Sequence, residues 1–341
     1  MTKRTRLFLG VACGILVAGL GTGLVAAYVG GFQNLVVIGS NGPDELAYVP
    51  QDAQMVAYAN IREIMSSDLR QRLRELQPAS PEAPRRFQDE TGINVETDID
   101  YVLAAAGGAG NDSNQDRPLM LARGRFDTVR IEGLLRERGG AIEEYRGKRV
   151  LTQPGAQFSV AFVEPDLAAV GNLAAVKRAI DTKAGAVADV TGNADVMRLV
   201  RDADNGSAWA VARFDTISTR LTGGLPPQLP PIEWFVVSSH VDGGIRGTMY
   251  AETRDEASAQ NLQDVLRGMM ALARLQAGQQ ADLSAFVDSL ELSGQGKTVT
   301  LGFSVPAEMI DKLAAKRLAR PGAPSEPLPP AQQPAPSTPA F

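Results

Sequence analysis

An uncharged stretch near the N-terminus constrains this chain more than any other feature. Residues 7–28 read LFLGVACGILVAGLGTGLVAAY, without one charged side chain. As a helix, these 22 residues, rising about 1.5 Å each, cross the roughly 30 Å hydrocarbon core of a bilayer. A single segment in lipid must be helical, because only a helix satisfies its own backbone hydrogen bonds there. The sequence therefore predicts one transmembrane helix, an anchor to the membrane through residues 7–28.

The charges around this segment predict its orientation. Three basic residues lie within residues 1–6, and the next basic residue is Arg62. Since basic flanks stay on the cytoplasmic side, residues 1–6 are predicted to be a cytoplasmic tip. The C-terminal bulk of this single-pass protein then lies in the periplasm or outside the cell. A cleavable signal peptide is the alternative, with a small-residue cleavage site at Val25-Ala26-Ala27. Both interpretations give the folded part the same compartment.

Composition limits the chemistry of the exported part. Cys13 is the single cysteine and lies within the predicted membrane helix, so the domain must be stabilised by its core and not by disulfides. His240 is the single histidine, so no histidine pair can hold a metal. The net charge is −5, with acids and bases interspersed, and no basic stripe predicts nucleic-acid binding. Abundant arginine and alanine are typical of a GC-rich bacterial genome.

Changes in composition also predict the domain boundaries. Residues 29–43 are an apolar and glycine-containing juxtamembrane spacer. Folded sequence is predicted as a first α+β region, 44–222, and a second, 223–320, with four prolines between 226 and 231 marking a loop near the junction. Residues 321–341 are rich in proline and almost uncharged. Because such a segment cannot bury a core, it is predicted to be a disordered tail.

Strand and helix patterns alternate through the folded region. The predicted strands are 55–59, 101–105, 119–122, 158–163, 167–170, 209–212, 234–240, 245–252, 289–292 and 298–304. The predicted helices are 61–76, 128–138, 173–182, 257–275 and 307–318. Short turns such as 241–244 join neighbouring strands, which favours antiparallel pairing. The pattern predicts an α+β fold of antiparallel sheets with helices on one face.

A short repeat suggests that the fold has two related halves. Arg125-Phe126-Asp127-Thr128 matches Arg213-Phe214-Asp215-Thr216, and each phrase follows an apolar strand. The structural interpretation places both phenylalanines in the core and uses the aspartates or threonines as helix caps. The functional alternative is a shared anion site towards which Arg125 and Arg213 both point.

Three segments resemble ligand-binding motifs but lack part of each pattern. Ser293–Thr298 has the end of a phosphate-binding loop, but Glu291 stands where the first glycine belongs. A dinucleotide-binding site requires a helix directly after its glycine-rich turn, and no helix is predicted after the glycine-rich residues 106–112. The alternating polar residues of Asn94–Asp100 offer oxygen ligands without the order of a calcium loop. We interpret residues 293–298 as a hairpin turn, residues 106–112 as a flexible loop and residues 94–100 as a solvated entry to a strand.

Nucleophilic chemistry also lacks a signature. His240 stands near Ser238 and Ser239, but no nucleophile elbow surrounds either serine. Carboxylate pairs cannot be recognised before folding brings them together. We therefore predict no catalytic, cofactor-binding or metal-ligating residue from the sequence, and no cofactor.

Three phrases resemble a family of bacterial membrane-anchored, exported proteins of unknown function. They are Tyr48-Val-Pro-Gln-Asp-Ala53, Tyr145-Arg-Gly-Lys-Arg-Val150 and Leu167-Ala-Ala-Val-Gly-Asn-Leu-Ala-Ala-Val-Lys-Arg-Ala-Ile-Asp181. The family opens with a Leu-Pro-x-Asp phrase and carries Val-Lys-x-Ala-Ile-Asp midway, with a likeness covering about residues 45 to 318. Val49 stands where the family has leucine and Asn172 where it has serine. The resemblance implies compartment and architecture, and it brings no activity or site residues.

Two functional hypotheses follow. The first is a non-enzymatic binding or structural protein of the cell envelope, with an envelope protein, a lipid or a peptide as its partner. The second is an extracytoplasmic hydrolase that uses unmarked carboxylates or serines. A deep polar cleft with two carboxyl groups about 5–9 Å apart would favour the hydrolase, and a shallow groove would favour binding.

Overall fold

The computed structural model describes residues 42–76, 88–89, 92–107, 118–137, 139–152, 158–214, 230–277 and 281–318. The predicted membrane helix 7–28, most of the spacer and the tail 321–341 lie outside these ranges. Within them, no helix combines the length and the apolar character needed to cross a bilayer.

Twelve strands form one continuous sheet in which every neighbouring pair is antiparallel. The strands are β1 Met55–Asn60, β2 Ile99–Ala106, β3 Leu119–Gly124, β4 Ala141–Tyr145, β5 Lys148–Thr152, β6 Ser159–Glu164, β7 Leu167–Gly171, β8 Ala208–Arg213, β9 Ile232–Val241, β10 Gly244–Thr253, β11 Glu291–Gln295 and β12 Thr298–Pro306. Their spatial order is β11-β12-β10-β9-β8-β1-β2-β3-β7-β6-β5-β4. The sheet therefore continues across the boundary predicted at 222/223, because β8 pairs with both β1 and β9.

Helices connect these strands. They are α1 Ile61–Ser66, α2 Asp68–Leu76, α3 Val95–Asp98, α4 Thr128–Glu137, α5 Leu173–Lys183, α6 Ala194–Ala203, α7 Glu256–Ala277, α8 Ala281–Asp288 and α9 Ala307–Leu318, with short 3-10 helices at Asp44–Tyr48 and Val190–Gly192. The combination of helices with an antiparallel sheet is an α+β fold, as predicted.

The order of the strands repeats once within the sheet. The order β1-β2-β3-β7-β6 matches β8-β9-β10-β12-β11, and β1 and β8 pair at the centre. β3 and β10 are each followed by helices, α4 in one case and α7 with α8 in the other, and the hairpin β4–β5 is an addition on one side. In this correspondence β8 matches β1. The phrases at Arg125 and Arg213 therefore follow strands that are not equivalent, and the counterpart of Arg213-Phe214 is Asn60-Ile61.

Helices cover both faces of the sheet, so the prediction of helices on one face was wrong. The larger core contains Val56, Tyr58 and Leu103, and it is covered by α5, α6 and the 3-10 helix Asp44–Tyr48. We call this side the α5–α6 face. On the opposite face, smaller clusters join the sheet to α1, α2, α7, α8 and α9. The reason is visible in β2, where Val102 and Leu103 point to opposite sides and both are buried. A sheet that is apolar on both faces needs cover on both.

Three local features differ from the predicted elements. The helix predicted at 61–76 is interrupted at Ser67, whose hydroxyl donates to the Ile64 carbonyl at 2.6 Å. The hairpin β4–β5 was not predicted. Its two-residue turn is formed by Arg146 and Gly147, whose φ values of 49° and 74° are the positive values that such a turn requires. Helix α6 was also missed. Its signal was the cap Asn193 before the buried residues Val196, Met197, Leu199 and Val200.

Candidate functional site

A cleft of about 320 Å³ opens at one end of the sheet, where α6 begins. Four of its lining residues, 51–54, precede β1, two belong to the start of α6, and one each comes from the end of β8 and from β9. The lining residues are Gln51, Asp52, Ala53, Gln54, Asn193, Asp195, Arg213 and Trp234. The cleft is thus assembled from four separate parts of the chain.

Backbone contacts position the side of the cleft formed by α6. Asn193 caps this helix by accepting a hydrogen bond from the Val196 amide at 3.2 Å. Its side-chain amide donates to the Gln51 carbonyl, also at 3.2 Å, and the Gln51 amide donates to the Ala188 carbonyl at 2.9 Å. These bonds tie the segment before β1 to the start of α6, so Asp195 projects from the first turn of a helix that is anchored at its N-terminus.

Arg213 and Trp234 form the other side. They lie opposite each other on β8 and β9, and the Arg213 guanidinium carbon is 5.6 Å from the centroid of the Trp234 ring, the geometry of a cation–π contact. The Arg213 amide donates to the Gln54 carbonyl at 2.8 Å. The two tryptophans differ, because Trp209 donates its indole N–H to Asp204 at 2.9 Å, whereas the Trp234 indole N–H has no partner among the described residues.

Asp52 is held by an arginine from the neighbouring helix. Nη2 of Arg178, on α5, lies 2.8 Å from one oxygen of Asp52 and 2.7 Å from the other. The ion pair leaves the Asp52 charge neutralised within the wall of the cleft. Of the two carboxylates that line the cleft, Asp195 is the one that stands exposed at its mouth.

A second polar cluster, which we call the Arg123 network, lies beneath the 3-10 helix Asp44–Tyr48. Nε of Arg123 donates to Glu45 at 2.6 Å, and its two Nη atoms lie 3.0 Å from Glu164 and 2.8 Å from Asp166. The Tyr101 hydroxyl donates to Glu45 and that of Tyr48 to Glu164. The Glu45 side chain is fully enclosed, whereas those of Glu164 and Asp166 are partly exposed. The buried part of this network ties the 3-10 helix to the sheet and stabilises the fold.

Burial and hydrogen bonds together shift the pKa values of groups within the Arg123 network. Burial and the hydrogen bond to Glu45 raise the pKa of Tyr101. Burial opposes the charge of Glu164, but the hydrogen bonds from Arg123 and Tyr48 outweigh it and lower the pKa of this carboxyl. Both effects keep the tyrosines neutral and the carboxylate charged, which is the arrangement that the hydrogen bonds require.

The segments that resemble phosphate-binding and calcium-binding motifs have structural roles. Residues 293–298 span the turn between β11 and β12, with Gly296 at φ 55°, so the hairpin interpretation is confirmed. In Asn94–Asp100, the carboxylates are paired with arginines: Glu96 with Arg70, Asp98 with Arg125, and Asp100 with Arg62. Most of the glycine-rich segment 106–112 lies outside the described residues.

The serines beside His240 are engaged elsewhere. Ser238 Oγ lies 3.0 Å from the Ala203 carbonyl and 2.8 Å from the Asn205 side chain. Ser239 donates to the Ala208 carbonyl at 3.4 Å. Both hydroxyls thus bond to the segment that joins α6 and β8, and neither is bonded to the imidazole of His240.

The two Arg-Phe-Asp-Thr phrases lie at opposite ends of the sheet. The Arg125 amide donates to the Asp98 carbonyl, just before β2, whereas Arg213 joins Gln54, whose amide reaches the Ala106 carbonyl at the end of β2. The eight residues of β2, at about 3.3 Å each, separate them. The shared anion site suggested for Arg125 and Arg213 is therefore wrong.

Other details of the phrases agree only in part with the prediction. Asp127 caps α4 by accepting a hydrogen bond from the Arg130 amide at 3.0 Å, while Asp215 lies outside the described residues. Phe126 and Phe214 are half-buried instead of enclosed. Phe126 packs against Phe162 with ring centroids 5.6 Å apart.

Comparison with solved structures finds similarity to TP0453. Its crystal forms I, III and IV are each 10% identical to this chain, with TM-scores of 0.45, 0.47 and 0.47. They cover 81%, 81% and 80% of this chain and 98%, 99% and 97% of their own. No protein-family model matches the chain, and no curated protein sequence matches it. A likeness at this level carries no argument about function.

Asp204 is expected to make stability depend on pH. Burial raises its pKa above the ordinary 3.8, and the hydrogen bond from Trp209 only partly offsets this. Since the folded chain then binds this proton more tightly than the unfolded chain, stability is highest at pH values below 3.8. It is lost as the pH rises through the raised pKa. Asp204→Asn keeps an acceptor for Trp209 and should lose this dependence. Urea unfolding between about pH 3 and pH 7 measures it.

The control is Asp202→Asn, which removes one charge from the exposed end of the same helix. The informative quantity is the difference in unfolding free energy between Asp204→Asn and the unmodified chain, which should grow as pH rises. If the two curves run parallel, Asp204 does not titrate in this window.

Proposed function

We propose that this chain is a membrane-anchored, extracytoplasmic binding protein of the cell envelope, with residues 7–28 as its anchor and the cleft beside α6 as its ligand site. The compartment is supported by the uncharged run and its basic flank. The same compartment is expected from the resemblance of the phrases at 48–53 and 167–181 to a family of exported proteins.

One observation carries the assignment of the cleft. Arg213 stacks on Trp234 at the mouth of a cleft whose other lining side chains, apart from Ala53, are amides and carboxylates. A guanidinium held on an indole is fixed in place without losing its hydrogen-bond donors. Arginine and tryptophan are also the residues most enriched among those that dominate binding energy. The lining therefore supports recognition of a ligand.

The hydrolase is the alternative, and a specific feature favours it. Asp52 and Asp195 line the same cleft, and two carboxylates across a cleft are what acid–base hydrolysis of a glycoside uses. Against it, Arg178 contacts both oxygens of Asp52, so this carboxylate is already engaged in an ion pair within the wall of the cleft.

The compartment is tested with a C-terminal alkaline phosphatase fusion, which is active only outside the cytoplasm. We expect strong activity from the unmodified chain. Changing Lys3, Arg4 and Arg6 to glutamate, with Gln33→Lys, should cut it severalfold, because basic residues would then flank the other end of the helix. The matched control exchanges Lys3, Arg4 and Arg6 only between lysine and arginine and should leave export intact. Unchanged export of the charge-reversed chain would refute the orientation argument, and an inactive unmodified fusion would refute the compartment.

A further inference from the structure

The long helix α7 has two apolar stripes, and one of them faces solvent. The inner stripe packs against the sheet and α8 through Ala259, Leu262, Leu266, Met270, Ala273 and Ala277. The outer stripe, in the C-terminal half of the helix, consists of Val265, Gly268, Leu272 and Leu275. Leu272 and Leu275 are 59% and 80% exposed. The outer stripe is therefore left uncovered by the part of the chain that the structure describes.

The outer stripe has the spacing of a seam between two helices. Its members follow one another at intervals of three, four and three residues, which are the a and d positions of a coiled coil. Scattered exposed leucines are ordinary on a protein surface, but a contiguous apolar stripe marks an interaction site. The spacing indicates that the partner presents a helix.

The outer stripe is complementary to itself in one antiparallel register. When Gly268 of one copy lies opposite Leu272 of another, Val265 lies opposite Leu275. A Cβ atom built on Gly268 would meet nothing within 4 Å, so the space over this glycine is open to a leucine side chain, as a hole is to a knob. Two copies related by a two-fold axis beside residue 270 then bury the whole stripe, each with the same surface.

The charges beside the outer stripe do not oppose this pairing. Nη1 of Arg267 lies 2.8 Å from Asp264 on the same helix, and Nε of Arg274 lies 3.5 Å from Asp288 on α8. Each of these arginines is paired with a carboxylate of its own chain. Two copies can therefore approach without bringing uncompensated arginines together.

The predicted anchor makes a small interface sufficient. A stable dimer of soluble proteins buries about 800 Å² on each partner, which is more than a stripe along one half of a helix supplies. Chains that share a bilayer meet at a raised effective concentration, so a weaker contact is enough. The anchor itself has glycines at 10 and 14 and at 19 and 23, a spacing that lets membrane helices pair closely.

From these features we propose that two copies of this chain pair through antiparallel contact of their α7 helices, with Leu272 of each copy seated over Gly268 of the other. This surface is separate from the cleft beside α6. The pairing rests on the proposed function only for the anchor that concentrates the chains.

Thiol crosslinking of the full chain in bacterial membranes tests the pairing. Cys13→Ala removes the single natural cysteine, and Ala271→Cys then places one thiol beside the two-fold axis. Gln260→Cys is the matched control, because this position is also exposed on α7 but lies about 30 Å from its counterpart along the paired helices. With a short bismaleimide, we expect at least about fivefold more covalent dimer from Ala271→Cys than from the control.

A charge placed in the outer stripe should separate the copies. Leu272→Glu would bury a carboxylate in the contact and should lower the dimer yield of Ala271→Cys at least about fivefold. Gln260→Glu adds the same charge outside the contact and should change the yield less than about twofold. Since Leu272 is exposed in the single chain, Leu272→Glu should leave the melting temperature within a few degrees of the unmodified chain. A lost crosslink then reports lost pairing and not misfolding.

Three results would overturn the inference. Equal crosslinking of Ala271→Cys and Gln260→Cys would mean parallel or random contact. A dimer yield that Leu272→Glu leaves unchanged would place the contact elsewhere. Absence of dimer from Ala271→Cys would mean that α7 is isolated if this thiol reacts fast with a membrane-impermeant maleimide, and that lipid or another protein covers it if the reaction is slow.

Failure of the proposed function is read separately. The membranes are opened by sonication before crosslinking, so the dimer yield does not depend on the side of the membrane on which the chain lies. Loss of the proposed compartment is measured by the phosphatase fusion alone.

Discussion

Replacing Arg123 with methionine is expected to lower the free energy of unfolding of residues 42–320 by about 3–5 kcal/mol. The guanidinium is paired with Glu45, Glu164 and Asp166, and the Glu45 side chain has no exposed surface. Without Arg123, this buried carboxylate keeps a hydrogen bond only from Tyr101, and its second oxygen already has no partner among the described residues. An uncompensated buried charge is the costly outcome.

Urea denaturation followed by circular dichroism measures this effect. Arg125→Met is the matched control, because Arg125 lies two residues further along and its side chain is 71% exposed. It should cost less than about 1 kcal/mol. Adding Glu45→Gln to Arg123→Met should recover part of the loss, since the group left behind is then neutral. A cost for Arg123→Met no larger than that of the control would mean that the Arg123 network does not stabilise the fold.

Truncating Trp209 to alanine is expected to cost about 3–5 kcal/mol. The residue is 2% exposed and packs against Tyr58 with ring centroids 5.2 Å apart. Removing it opens a cavity at the centre of the sheet, where β8 and β1 pair, and leaves Asp204 without its indole donor. Both losses act in the same direction, so this change should be among the most damaging in the domain.

The second tryptophan provides the comparison. Trp234→Ala removes a half-buried side chain from the rim of the cleft and should cost roughly 1 kcal/mol. Trp209→Phe fills most of the cavity and isolates the contribution of the hydrogen bond, which we expect to be about 1–3 kcal/mol. Equal costs for Trp209→Ala and Trp234→Ala in thermal or urea unfolding would contradict the different burial of the two side chains.

Local patterns predicted most of the elements. The long helix α7 and the hairpins β9–β10 and β11–β12 carry strong periodicity and turn residues, because hydrophobic spacing follows directly from backbone geometry. The interruption at Ser67 was missed because the apolar spacing of residues 61–76 continues through it. Strand β8 was predicted because residues 209–212 form an uninterrupted apolar run.

The relation between the two sides of the sheet was harder to predict. The phrases at Arg125 and Arg213 match in sequence but follow the non-equivalent strands β3 and β8. Any junction between a strand and a capped helix favours the residue types of this short phrase. Its repetition therefore reflects two similar local junctions and not two equivalent positions in the fold. The order of the strands, which relates β8 to β1, is set by contacts between residues far apart in the chain.

The sequence by itself determined most of the elements and predicts the anchor at 7–28, because each follows from the properties of consecutive residues. Since Cys13 is the single cysteine, no disulfide can form within the chain. Only the tertiary structure decided which charged groups meet. The residues of the cleft and its wall are separated by up to 182 positions in the sequence, and they include Asp52, Arg178, Asp195, Arg213 and Trp234. Nothing in the sequence around any of them marks it as part of a site. The pairing of β8 with β1 and β9 brings Arg213 and Trp234 beside the segment that precedes β1 and the start of α6. The cleft is thus a product of long-range strand pairing, and this pairing depends on how the apolar faces of distant strands pack together.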